Sequence, residues 1–140
     1  MDRLNLKKIT YETLNAKRKE QYLFQKISGV LADYGYTTIK LADDWQGADF
    51  IAQHVDGKNF LKIQLKSRFS INKKYEDKDL YIAFPLKKEW YIFPHDEMVL
   101  ALKDQKIYTE SASWGNGSYS VSDVSNKAVL KLLQPYKVMA

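Results

Sequence analysis

Three side chains within one stretch, Gly47 to Lys66, carry groups that can act together: the carboxylate of Asp49, the amide of Gln64 and the ammonium of Lys66. A carboxylate and an amide oxygen beside an ammonium suit one metal ion and one water. Whether they meet depends on strand register. Two runs with apolar residues at alternate positions flank Asp56-Gly57, a strong signal for a tight hairpin turn. With a two-residue loop, opposed residues sum to 113, so Asp49 faces Gln64. Directly opposed side chains share a sheet face, with Cβ atoms ~5 Å apart. Lys66 lies two residues beyond Gln64 and returns to that face, because strand side chains alternate. Phe50, Ala52, Leu61, Ile63 and Leu65 fall on the other face and read as core.

This arrangement resembles the PD-(D/E)XK nuclease superfamily, in which an acid at the start of one strand pairs with a (D/E)-x-K tripeptide on its hairpin partner. Here the signature is Asp49 followed by Gln64-Leu65-Lys66, with Ala48 in the proline position and Gln64 in the acidic one. The Gly-x-Asp…Gln-x-Lys form is similar to intron-encoded homing endonucleases of this fold and to some resolvase-like relatives. The resemblance covers about residues 10 to 95. It implies an α/β (α+β) fold with a restriction endonuclease-like αβββαβ core, a mixed sheet with the N-terminal helix packed on it.

It also implies phosphodiester hydrolysis in DNA. That reaction needs a cation to neutralise the phosphate, an activated water and a stabilised leaving oxygen. Mg²⁺ prefers oxygen ligands and takes one or two carboxylates; Mn²⁺ is the expected substitute. Asp49 is the expected direct ligand and Gln64 a weaker, neutral one. Lys66 would hold or deprotonate the attacking water and offset developing charge. Glu20 lies seven residues before Ile27; at ~100° per residue it points within about 20° of Ile27's direction. It is therefore either a charge at the edge of the apolar stripe or a second carboxylate delivered to the metal, as this superfamily often has.

Composition agrees with a folded domain. The 140 residues are 45% hydrophobic and 28% charged, enough for one domain with a real core. Without cysteine there is no disulfide scaffold, thiolate metal site or Cys nucleophile, which suits a cytoplasmic location. The longest apolar run, Leu80 to Leu86, is far short of the ~18 residues of a membrane span. Residues 1–8 lack the apolar core of a secretory signal. Net charge is +5, and residues 58–88 hold nine Lys or Arg against three acids. That bias reads either as a solvated Lys-rich surface or as a phosphate-facing field. Arg68, Lys73, Lys74 and Lys62 are the candidate DNA contacts, with Phe69 and Tyr75 available for stacking. His54 and His95 lack a second ligand set, and no Walker-type loop or Gly-x-Ser-x-Gly elbow is present.

The elements that must position these residues follow from periodicity. Thr10 to Tyr34 reads as one helix with Leu23, Phe24, Ile27, Val30, Leu31 and Tyr34 as its stripe, stopped by Gly35. Tyr36 to Leu41 reads as the first strand, and Ala42 to Gly47 as a connection in which Asp43 and Asp44 are turn formers. The hairpin follows, and Ile71 to Asp79 reads as a short helix or ordered loop. Leu80 to Phe84 and Glu89 to Phe93 read as strands around a Pro85-Lys88 turn. Pro94 to Leu102 reads as a helix with Asp96 as N-cap candidate. Gln105 to Thr109 reads as a short edge strand, Ser111 to Ser120 as a loop or hairpin tip, and Val124 to Leu133 as a helix with Ala128, Leu132 and Leu133 buried.

Two function classes stand. One is a metal-dependent DNA endonuclease. The other is a non-catalytic nucleic-acid-binding or subunit-interaction domain whose Gln64 marks lost metal chemistry. Asp49, Lys66 and Glu20 together favour the first. A third reading is a surface polar cluster on a half-exposed sheet. One metal site cuts one strand, so a homodimer or higher homo-oligomer is expected for double-strand cleavage. The charged connector and the loop at 111–120 are the available groove probes.

Overall fold

The computed structural model describes residues 3–139; residues 1–2, the start of the segment read for a secretory signal, and residue 140 lie outside it. A six-stranded mixed sheet organises the chain. Its strands are β1 Tyr36–Trp45, β2 Ala48–His54, β3 Phe60–Leu65, β5 Leu80–Leu86, β6 Glu89–Pro94 and β8 Lys137–Val138, in the order β1-β2-β3-β5-β6-β8. Every neighbouring pair is antiparallel except β3 and β5, which run parallel. A second, two-stranded sheet pairs β4 Phe69–Asn72 with β7 Ser118–Val121. The helices are α1 Ala16–Ala32, α2 His95–Asp104, α3 Ala112–Gly115 and α4 Lys127–Leu133. The fold is thus α+β, with the first long helix packed on a mostly antiparallel sheet.

Alternation along the strands builds a core on each face. Leu23, Ile27 and Leu31 of α1 pack on Phe50, Ala52, Ile63, Ala83 and Trp90. The opposite face carries Ile82, Phe84, Tyr91 and Phe93, covered by Met98, Val99 and Leu102 of α2, Trp114, Val129, Leu133 and the small sheet's Phe69 and Ile71. Phe50 and Ile63 are fully buried, each worth ~1.5–3 kcal/mol by transfer from water. The sheet is thus covered on both sides at β5 and β6, whereas the face of β1, β2 and β3 turned away from α1 stays largely open, with Ile39 44% and Phe60 59% exposed.

Several boundaries differ from the periodicity reading. The first helix breaks in two: a single 3-10 turn, Tyr11–Thr13, precedes α1, whose Asn15 N-cap accepts a hydrogen bond from the Arg18 N–H at 2.9 Å. That cap competes with a continuous helix. Tyr34 lies outside α1 and is 42% exposed, so it does not extend the stripe. Strand β1 continues through Asp43 and Asp44, and the reversal falls on Gln46-Gly47, both at positive φ. Asp56-Gly57 sits in a four-residue loop, with the His54 N–H donating to the Asn59 carbonyl. The register sum of 113 survives, since Phe50 opposes Ile63 and Gln53 opposes Phe60.

Ile71 to Asp79 holds the short helix expected there, a 3-10 turn at Lys73–Tyr75, but strand β4 before it, Phe69–Asn72, was not foreseen. Strand β5 runs on to Leu86, leaving Lys87-Lys88 as the turn. Helix α2 begins after Pro94; Asp96 lies inside its first turn and accepts the Asp77 N–H at 2.9 Å, so it anchors the connector instead of capping. Gln105 to Thr109 forms turns with Lys106 and Tyr108 at positive φ, not an edge strand. Residues 111–120 supply α3 and β7. Helix α4 starts at Lys127 behind its Asn126 cap and buries Val129 and Leu133.

Candidate active site

A cleft of about 480 Å³ opens where the ends of β2 and β3 meet the first turns of α1. Asp49, Gln64, Lys66 and Glu20 all line it, together with Tyr11 and Lys19. The register that places Phe50 opposite Ile63 brings Asp49 level with Gln64. An irregularity in the neighbouring strand then frees Asp49. Lys40 opposes Phe50 and Trp45 opposes Ala48, so four residues of β1, 41–44, span the single residue Asp49 of β2. Bulges of this kind re-aim side chains beside functional sites. Asp49 uses the freedom to turn its Oδ2 to the Leu65 N–H, which donates at 2.8 Å. That bond fixes one carboxylate oxygen.

Gln64 is held from the other side. It pairs in parallel register with Ile82 on β5 and is 8% exposed. Its Oε1 is buried and has no hydrogen-bond partner. Such an atom forfeits its hydration and costs ~1–3 kcal/mol unless something else meets it. Just past β3, the Lys66 N–H donates to the Ala83 carbonyl at 2.9 Å, carrying the parallel pairing one residue further. The Lys66 ammonium stands 5.5 Å from the centre of the Tyr75 ring. Glu20 is exposed and stands on the cleft's rim, so its side chain is wetter than a core-facing direction implies.

Burial pushes the Asp49 carboxyl above its ordinary value of 3.8. The Leu65 N–H opposes that shift, Glu20 adds to it, Lys66 lowers it and Asp44 raises it. Asp49, Glu20 and Lys66 form none of the three ion pairs among the described residues. The cleft thus gathers two carboxylates and an unpartnered amide oxygen, which are ligands a hard cation accepts. No group of three or more His, Cys, Asp or Glu side chains is arranged for a metal among the described residues, so the amide is needed to complete a third protein ligand.

The raised carboxyl has a consequence for stability. A native state that keeps its proton to higher pH than the unfolded chain gains from Asp49 below pH 3.8 and loses that gain as pH rises through the native value. Asp49→Asn should therefore match the parent in acid and exceed its thermal stability near pH 7 in chelator. Unfolding followed from pH 4 to 7.5 tests this; a variant less stable at pH 7 contradicts it.

None of the four basic candidates lines the cleft, whose lysines are Lys19 and Lys66. Lys62 reaches Gln46 Oε1 at 3.4 Å and lies 5.6 Å from the Trp45 ring centre. Lys73 and Lys74 are exposed, with their ammonium groups 5.4 Å from the Trp114 and Tyr75 rings. The Arg68 Nε–H donates to Ser120 Oγ at 2.6 Å. Phe69 and Tyr75 are core residues, 0% and 2% exposed, so neither is free to stack on a base. His95 is buried and accepts the Asn72 N–H at 3.1 Å, an anchor for the connector. His54 lies edge-on to Tyr36 and beside Asp56.

Periodicity missed Tyr11, Lys19 and Tyr75 as neighbours of the cleft. Lys19 was legible, since it lies four residues before the buried Leu23 on α1. Tyr75 was not, because its place depends on the crossover from β3 to β5. A larger groove, about 570 Å³, lies between α2 and α4, but its lining carries a single carboxylate, Glu97.

No protein-family model and no curated protein matches the chain. Among solved structures the chain is similar to a Holliday junction resolvase from the archaeal hyperthermophile Archaeoglobus fulgidus, at 19% identity and TM-score 0.42, covering 53% of this chain and 76% of that one. It is also similar to a bacterial homing endonuclease, at 14% identity and TM-score 0.48, covering 87% of this chain and 94% of that one.

Proposed function

We propose that this chain is a metal-dependent DNA endonuclease of the PD-(D/E)XK type. The observation that carries the reading is Gln64 Oε1, buried without a partner beside a carboxylate that burial has pushed up, in a cleft that Glu20 and Lys66 also line. A divalent cation would meet both unmet needs, and Asp49, Gln64 and Glu20 are the residues that would hold Mg²⁺ or Mn²⁺. When bound, the ion supplies charge neutralisation at the scissile phosphate and a more acidic water.

The protein's own groups do the rest. The Leu65 N–H holds one oxygen of Asp49, whose side chain lines the cleft. The Lys66 ammonium, attracted to the face of Tyr75, orients a water by hydrogen bonding and offsets negative charge that grows on the phosphate. Arg68, Lys73, Lys74 and Lys62 contribute backbone contacts, and two copies of the chain would serve two strands.

The alternative is a DNA-binding or subunit-interaction domain on the same fold. The neutral Gln64, which leaves two carboxylates where an acid would make three, favours it. Incubating plasmid and branched DNA with Mg²⁺, Mn²⁺ or chelator separates the two. Nicking or cleavage with either ion, and none in chelator, is expected. Intact DNA with every divalent ion would leave the binding domain.

A further inference from the structure

The reversal from β1 to β2 carries a second feature beside the cleft. Trp45 ends β1 and is 50% exposed, whereas Trp90 and Trp114 are 8% and 4% exposed. The Lys62 ammonium lies 5.6 Å from the centre of this indole and donates a long, 3.4 Å hydrogen bond to Gln46 Oε1, so cation and ring are presented together. The tip is not a loose end. Gly47 packs so closely on Leu80 and Tyr75 that a Cβ there would come 2.6 Å from Leu80 Cδ1. Tyr75 in turn lies under the Lys66 ammonium of the cleft. Between the tip and the connector runs a shallower hollow of about 360 Å³, lined by Asp44, Gln46, Lys74, Tyr75 and Lys78. Trp45 opposes Ala48 on β2, the residue before Asp49, so an exposed indole with a cation beside it stands next in register to the cleft's aspartate.

We propose that Trp45, with Lys62, is a base-stacking site that receives an unpaired base, so that the substrate class is single-stranded DNA, or branched DNA that carries unpaired bases, in preference to uninterrupted duplex. The inference rests on DNA being the substrate of the Asp49 cleft. An indole face stacks on any base, and a cation beside it meets the adjoining phosphate. Inside an intact duplex each base face is covered by its neighbours, and only edges and backbone are offered. Receiving a base on a flat ring therefore requires one already unstacked, or the cost of unstacking it. The packing of Gly47 on Leu80 and Tyr75 anchors the backbone that carries the indole, so the ring is offered at a defined place beside the cleft.

Because the other two indoles are buried and poorly reached by acrylamide, the acrylamide-quenchable part of the emission comes mainly from Trp45 and reports the contact. The titration is made in chelator, with single-stranded, branched and fully paired oligonucleotides of equal length. Single-stranded and branched DNA should quench the emission and shield it from acrylamide, and paired DNA should do so far less. Trp45→Ala should weaken single-strand binding roughly 5- to 100-fold and leave duplex binding within about twofold. Equal quenching by all three DNAs, no quenching on binding, or quenching by single-stranded RNA alone overturns the proposal. The parent's acrylamide shielding needs no variant, so a poorly folded substitution does not spoil the test. Absence of cleavage with any metal counts against the Asp49 reading and leaves this titration readable.

Discussion

Asp49→Ala should abolish metal-dependent cleavage, a loss of at least ~10²–10⁴-fold, while DNA binding in chelator is kept or tightened. Asp49 presents negative charge where a phosphate must sit. Without a cation that charge repels DNA; at ~4 Å two unit charges cost ~1–4 kcal/mol between bulk water and a protein surface. Lys66→Ala should also abolish cleavage but weaken binding, because it removes an attractive charge. The opposite binding responses distinguish a catalytic pair from two lost structural contacts. Gel-shift titrations in chelator, paired with cleavage assays in Mg²⁺, give both readings from the same proteins. Thermal unfolding serves as the control, since Asp49 also accepts the Leu65 N–H. If neither substitution alters binding and the parent cuts nothing, the endonuclease reading fails.

Gly47→Ala should be among the most damaging single-methyl changes in the chain, costing about 2–5 kcal/mol. Part of this is backbone: Gly47 sits at φ +88, where a Cβ costs ~1–2 kcal/mol. The rest is contact, because the new methyl would press on Leu80 Cδ1 at 2.6 Å, and overpacking of this kind costs ~1–3 kcal/mol. Gly57→Ala isolates the two terms. Its φ is +70 but nothing lies within 4 Å of the added carbon, so only the backbone cost applies. Chemical denaturation of both variants should place Gly47→Ala clearly below Gly57→Ala. Equal losses would mean that Leu80 yields freely and that the hairpin is not pinned to the core.

The central register was legible although its turn was not. A two-residue loop and the observed four-residue loop share the same centre, between Asp56 and Gly57, so both put Asp49 level with Gln64. Alternation also assigned Phe50, Ala52 and Ile63 to the core beneath α1. What escaped the sequence is non-local. The bulge at 41–44 shows no local signal; its acids and Trp45 look like a loop, and only pairing with β2 reveals an extended strand. Phe69 and Tyr75 looked available because their neighbours are charged. In fact their rings enter a core that includes residues 20 or more positions away, such as Phe93 and His95. Strand β4 likewise depends on β7, which follows it by almost 50 residues.

The single parallel pairing, β3 with β5, has a bearing on the order of folding. The three-strand meander β1-β2-β3 closes through short loops and can form early, because contacts close in sequence carry little loop-closure cost. Asp49 and its Leu65 partner belong wholly to that early unit. Gln64 and Lys66 are different: each is held by β5, through the pairing with Ile82 and the bond to the Ala83 carbonyl. Half of the cleft thus exists as soon as the meander does, and the other half waits for the chain to cross over and return. A nascent chain that ends before Leu80 would carry the aspartate without a positioned glutamine or lysine, so the complete cleft arises only once the sheet has closed.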